Sequence, residues 1–306
     1  MFSKLFSKTN PNNYFWVFFL LFLNPAIYLS YKYLVKNQHV DFVDFSLSFF
    51  AILFSIILLN SSIRRLGLHK QHLFALFFFT IFLFFIPKVF LSSDIAITLF
   101  LSTLAFYRLI TVKNAKAAIF DFSLLVIFAS FFSFWSIFYI IIAVIYTMFF
   151  TRFNFINLFI PFVALLSMII IVGAVDVLFN QQFISNLILQ NSIGFSLNYF
   201  SYANERIVFS MFISFILFIM LLYLFQSEHM QSNIKSLYQL FFILLICNFI
   251  IFFLNFNKQN ESLVFFIVPI SVFAGRYLEN IKDRKNREFI VWVIVLTAFL
   301  LFGLSL

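Results

Sequence analysis

Eleven apolar runs, each near the length that crosses a bilayer, follow one another along the chain. They cover residues 14–34, 42–63, 72–90, 95–112, 118–134, 137–151, 155–175, 206–226, 237–254, 263–279 and 289–306. About twenty apolar residues span the hydrocarbon core as a helix, and helices satisfy all their own backbone polar groups there. The expected fold is therefore all-α: a polytopic transmembrane helix bundle of about eleven spans in one integral membrane domain, residues 1–306. Within it the N-terminal helices occupy 1–175, an external segment 176–205 and the C-terminal helices 206–306. The runs 118–134 and 137–151 read either as two spans or as a re-entrant hairpin, because Phe134-Trp135-Ser136 is hardly a loop.

Composition supports the same class. The chain is 64% hydrophobic and carries 55 Phe against 5 Gly and 5 Pro, more apolar surface than a soluble domain could bury. A net charge of +9 would point to nucleic acid in a soluble protein. Here it reflects the excess of Lys and Arg in cytoplasmic loops, so no nucleic-acid partner is expected. With the N-terminus inside, fifteen basic residues fall on the inner side: Lys4, Lys8, Arg64, Arg65, Lys70, Arg108, Lys113, Lys116, Arg152, Lys235, Arg276, Lys282, Arg284, Lys285 and Arg287. Five fall outside: Lys32, Lys36, Lys88, Arg206 and Lys258. The bias keeps its sense along the whole chain and places the C-terminus outside. Lys4 and Lys8 precede the first run without a small-residue cleavage pattern after it, which reads as an uncleaved span. The single cysteine, Cys247, lies in an apolar run, so neither a disulfide framework nor a Cys-based metal site is available.

Polar chemistry is then confined to the external loops, and Asn37 to Asp44 is the first of them. Asp41 and Asp44 read as interfacial caps at a helix N-terminus or as functional acids, since ionisable residues at membrane depth are costly and commonly functional. Asp94, after Ser92-Ser93, has the same two readings. Arg206 sits beside Glu205, either neutralised by it or, with Lys88 or Lys258, holding a phosphate. His39 reads as an interfacial histidine in preference to a general base or a metal ligand. The 176–205 segment is long enough for a lid, and Phe183, Ile184, Leu187 and Ile188 recur at helical spacing suited to the membrane surface. The run Lys282 to Arg287 retains its loop in the cytoplasm and touches anionic lipid. No phosphate-cradling glycine loop, His-Glu-x-x-His, Gly-x-Ser-x-Gly or cysteine pair occurs. ATPase, zincin and elbow-type hydrolase chemistry are thereby disfavoured.

Two resemblances follow. Ser7-Lys8-Thr9-Asn10-Pro11-Asn12-Asn13-Tyr14 before the first span, with Ile119-Phe120-Asp121-Phe122 through Phe150-Thr151-Arg152-Phe153-Asn154 to Pro161, resembles an uncharacterised family of integral membrane proteins from Bacteroidota. The similarity covers most of the chain and implies no activity. The layout also resembles the C-type (GT-C) membrane glycosyltransferases, which use polyprenyl-phosphate sugar donors. Acids stand in the first and second external loops, the fifth and sixth spans are short, and a longer external segment follows the seventh. That resemblance implies a catalytic base or metal ligand at Asp41 or Asp44 and at Asp94, with Arg206 holding the lipid phosphate. A divalent metal ion is an open cofactor expectation. The first external loop here is only about seven residues, where that family usually carries amphipathic helices, and no C-terminal soluble domain is expected.

The leading expectation is a glycosyltransferase-like protein of the bacterial inner membrane, handling a polyprenyl-phosphate-linked sugar at its outer face. The alternatives are a non-catalytic subunit of an envelope, secretion or motility complex, partnered by other membrane proteins, and, third, a transporter.

Overall fold

The structure, a computed structural model, describes Phe6 and residues 10–37, 39–68, 73–150, 155–179, 203–227, 232–255 and 258–306. Among them eleven α-helices run in chain order: α1 (Pro11–Leu34), α2 (Phe42–Leu66), α3 (Phe74–Leu83), α4 (Ser93–Thr111), α5 (Ala115–Ala129) and α6 (Ile140–Phe149). α7 (Phe155–Phe179), α8 (Ala203–Ser227), α9 (Ser232–Leu254), α10 (Ile267–Asn280) and α11 (Arg284–Ser305) follow. Short 3-10 segments, Pro87–Leu91, Phe134–Tyr139 and Asn260–Phe266, lead into α4, α6 and α10.

Eight helical segments are long and apolar enough to cross a membrane, and the chain is a multi-pass membrane protein. The expected eleven runs each coincide with a helical segment, but three are too short to count among those eight. They are α3, α5 and the stretch Phe134–Phe149. Their shortness has a local cause. Pro87 removes a backbone donor and the last turn before it tightens, with Phe85 N–H donating to Phe82 O and Ile86 N–H to Leu83 O. Around Phe134–Tyr139 the chain likewise leaves regular α geometry before α6 begins.

α3 forms the centre of the bundle. Every residue of Phe74–Leu83 is buried, the signature of a helix that is apolar all round and enclosed by others. Its main neighbour is α10, whose segment is the most enclosed of the long ones. The two backbones meet at Gly275, where a Cβ would lie 2.9 Å from the Ala75 backbone nitrogen. Small residues permit this approach, which is how helices gain packing area where lipid supplies no hydrophobic drive. α2 packs along α4, α4 along α5 and α5 along α7.

Caps fix several ends. Asp41 accepts from Val43 N–H at 2.9 Å to start α2, and Asp283 accepts from Lys285 N–H at 3.0 Å to start α11. Gly67, at φ 60°, closes α2 in the left-handed conformation, with Leu68 N–H returning to Ile63 O. Asn248, buried on α9, ties two of the 3-10 segments together. Its Oδ1 accepts from Tyr139 Oη at 2.6 Å and its amide donates to Phe265 O at 2.8 Å. Asn248→Leu strands a buried hydroxyl and a buried carbonyl, so it is expected to destabilise by about 1–3 kcal/mol. A thermal melt of the purified chain in detergent measures this, and an unchanged melt would contradict the role given to the tie.

The two ends of the bundle differ in charge. At one, Arg64 donates to Tyr14 Oη, Arg65 lies over Tyr107, Arg108 Nε reaches Asp121 at 3.0 Å, and Arg287 lies over Phe74. This arginine-rich end holds the start of α1. At the other end, where α11 finishes, Lys36 donates to Leu306 O and acids and lysines mix.

Candidate functional site

The mixed-charge end is assembled from chain segments at the ends of several helices, some of them far apart in sequence. α2 and α4 both begin here, and their first turns are linked by Ser93 Oγ donating to Asp44 Oδ1 at 2.7 Å. Each carboxylate lies where a helix N-terminus favours negative charge. Asp44 and Asp94 are near enough for their charges to interact. The result is an acidic cluster of Asp44, Ser93 and Asp94 at the head of the α2–α4 pair.

Next to it, the 3-10 segment Pro87–Leu91 turns Lys88 toward the start of α8. Lys88 Nζ meets Glu205 Oε1 at 2.8 Å, and both side chains are partly exposed. A pair in that setting contributes at most about 1 kcal/mol, so its ordering of the site matters more than its energy. Asn260 Nδ2 donates to Glu205 O at 3.3 Å and Asn204 Nδ2 to Leu304 O at 3.1 Å, which joins the start of α8 to the Asn260–Phe266 segment and to the end of α11. These groups line a cavity of about 290 Å³ with Lys36, Lys88, Asn204, Glu205 and Asn260 on its polar side and Phe85, Val208 and Leu304 on its apolar side. Lys32 interacts electrostatically with Lys36, Lys88 and Glu261, so three ammonium groups share this corner with the carboxylates of Glu205 and Glu261.

The sequence-derived residues separate as follows. Asp44 and Asp94 come together through Ser93, which the sequence marks only as the residue before Asp94. Asp41 is exposed, and its Oδ1 is engaged in capping α2. Lys88 lines the cavity. Glu205 is paired with Lys88 across the bundle as well as preceding Arg206 in sequence. Arg206 is exposed in the first turn of α8. Lys258 is 2% exposed, and burial pushes its ammonium pKa below the ordinary lysine value. His39 is exposed. Cys247 is buried, as a packing residue should be. The lid expected over 176–205, including Phe183, Ile184, Leu187 and Ile188, lies mostly outside the described residues.

Lys36, Asn204 and Asn260 were missed as site residues. Their only sequence signal is a polar residue at the edge of a loop between apolar runs. Among the described residues no three His, Cys, Asp or Glu side chains come together as a metal site. A divalent ion at Asp44 and Asp94 would complete its shell with water or a substrate phosphate, as Mg²⁺ commonly does.

A multi-pass helical membrane protein with a mixed-charge pocket at one end is the class these features define. The chain belongs to a family of unknown function (DUF6427), whose family model matches residues 1–305. No curated protein and no solved structure matches it.

Proposed function

We propose that the protein is a glycosyltransferase-like protein of the bacterial inner membrane, handling a polyprenyl-phosphate-linked sugar at the outer face. What carries this reading is that the Asp44–Ser93–Asp94 cluster and the lysine-lined cavity lie at the same end of the bundle, with the short stretch from Lys88 to Asp94 running from one to the other. Transfer from a lipid phosphate needs a base for the acceptor and cations for the departing phosphate, and the two neighbouring sites supply one each. Asp44 takes the acceptor proton, Asp94 orients the acceptor, and Lys88, with Lys36, receives the phosphate. Arg206 and Lys258, from the adjoining segments, add positive potential. The orientation follows from the arginine-rich end being cytoplasmic, with the N-terminus inside and the C-terminus outside.

Sugar transfer from a polyprenyl donor, assayed in membranes carrying Lys88→Gln or Asp94→Asn, tests the reading. Lys88→Gln is expected to raise KM about tenfold or more and Asp94→Asn to lower kcat. Wild-type kinetics in both would remove these residues from the reaction.

A second reading, a non-catalytic subunit of an envelope, secretion or motility complex, draws on α7. Only 17% of its apolar window is buried, the least of the eight. Phe155, Phe159, Phe162, Leu166 and Ile170 present a broad apolar face. That face suits a partner's transmembrane helix as well as lipid. Stable co-purification of another membrane protein, lost on Leu166→Ser, together with no effect of Asp44→Asn on growth, would favour it.

A further inference from the structure

A second cavity shares α8 and α11 with the first and lies further along them, toward the arginine-rich end of the bundle. It measures about 220 Å³, has no polar lining, and is bounded by Phe215 and Ile219 of α8, Ile290 and Val293 of α11, and Ala274 of α10 with Phe78 of α3. The lysine-lined cavity is bounded by Asn204 and Val208 of α8 and by Leu304 of α11. From Val208 to Phe215 on α8 is seven positions and from Leu304 to Val293 on α11 is eleven, which at 1.5 Å per residue is about 10 Å and about 16 Å along the two axes. Between the two openings the floor of the α8–α11 seam is aromatic, with Phe85 against Phe212 at 5.6 Å and Phe84 against Phe299 at 5.1 Å. On the lipid side, Met211, Phe218, Leu296 and Leu300 are each about half exposed or more, so the seam is open laterally.

One seam therefore presents a charged pocket at the membrane surface and a dry apolar hollow below it, joined by a ring-lined wall. This is the shape of an amphiphile. Each ammonium in the upper pocket keeps donors beyond the one it already uses, since Lys88 gives one to Glu205 and Lys36 one to Leu306.

We propose that the α8–α11 seam binds an anionic, phosphate-headed lipid, with its phosphate at Lys36 and Lys88 and its hydrocarbon tail running down the seam into the apolar hollow. The assignment of a tail site rests on the function proposed above only for the choice of a polyprenyl chain. The phosphate-headed chemistry is shared with anionic glycerophospholipids. The upper pocket reads the head, the hollow reads the length of the tail, and the lateral opening lets the lipid enter from the bilayer without leaving it.

The full chain is reconstituted in phosphatidylcholine bilayers doped with a long-chain polyprenyl phosphate or with phosphatidylglycerol, then extracted, and the retained lipid is quantified. One doped lipid is expected to be enriched at least tenfold over its bulk fraction, and which one it is assigns the source. Val293→Trp and Ile219→Trp, which fill the hollow, are expected to cut that enrichment about tenfold, while Ile57→Trp, on the exposed side of α2 and outside both cavities, leaves it intact. With the wild-type chain, a short prenyl phosphate that cannot reach the hollow is expected to bind at least tenfold more weakly than the long one if the source is polyprenyl. For phosphatidylglycerol, a short-chain homologue serves in the same way. This comparison holds even if a Trp variant fails to fold. Enrichment of neither lipid, or enrichment indifferent both to tail length and to the Trp variants, overturns the proposal. Crevice-dependent retention in a protein that transfers no sugar would sink the glycosyltransferase reading and leave the tail site standing.

Discussion

Asp44→Asn is expected to lower sugar transfer by about 10²- to 10⁴-fold, the range that a positioned general base contributes. The substitution is informative because it is nearly isosteric. The amide oxygen of the substituted side chain can still accept from Ser93 Oγ, so the contact that joins α2 to α4 survives while the capacity to take a proton is lost. Thermal stability is expected to stay within about 0.5–1 kcal/mol of wild type, the ordinary scale of a single neutral hydrogen bond. Ser93→Ala acts only through Asp44, so its loss of transfer is expected to be smaller, about tenfold. Asp41→Asn is expected to leave both stability and transfer unchanged, because Asn caps a helix about as well as Asp and Asp41 Oδ1 is already engaged in the cap. Paired measurements of kcat and melting temperature on the three variants check this ordering. Equal transfer by the Asp44 and Asp41 variants would contradict it.

Gly275→Ala is expected to destabilise the bundle by about 1–3 kcal/mol, the usual cost of forcing extra volume into a close-packed contact. The added methyl would sit 2.9 Å from the backbone nitrogen of Ala75 and 3.1 Å from its Cα. Neither is the end of a flexible side chain, so α3 and α10 must separate along their length. Because α3 is buried on every side, the separation propagates into its contacts with α1, α2 and α11. Gly303 supplies the control, since nothing lies within 4 Å of a Cβ added there. Gly303→Ala is expected to be neutral or slightly stabilising, because Ala favours helix over Gly by up to about 1 kcal/mol. Melting curves of the two variants with opposite signs would establish the α3–α10 contact. A stable Gly275→Ala protein would show that the helices do not meet there.

The runs of apolar residues made the helices legible, because in a membrane chain hydropathy and backbone satisfaction act together. Runs at 42–63 and 206–226 correspond to α2 and α8 within about three residues at each end. The three 3-10 segments were less visible. Phe134–Tyr139 is as apolar as its surroundings, and only tertiary bonds such as Tyr139 to Asn248 show where regular geometry stops. The position of Asp41 at a helix start was readable from local chemistry alone. The partner of Asp44 was not, since Ser93 lies 49 residues away and reaches it only because α2 packs on α4. Lys88 and Glu205 are 117 residues apart and are joined by packing. Sequence reading could place both in external loops, but it paired Glu205 with its neighbour Arg206. Lys36, Asn204 and Asn260 carry no pattern of their own and become site residues only when the ends of α1, α8 and α11 converge.

The most direct test is consumption of a polyprenyl-phosphate-linked sugar by the purified chain in proteoliposomes, followed as release of free polyprenyl phosphate in the presence of an acceptor. The expected result is turnover by the wild-type protein that falls at least a hundredfold in Asp44→Asn, with the fold of the variant intact. No release by the wild-type chain across a panel of donors and acceptors, or equal release by the variant, would contradict it.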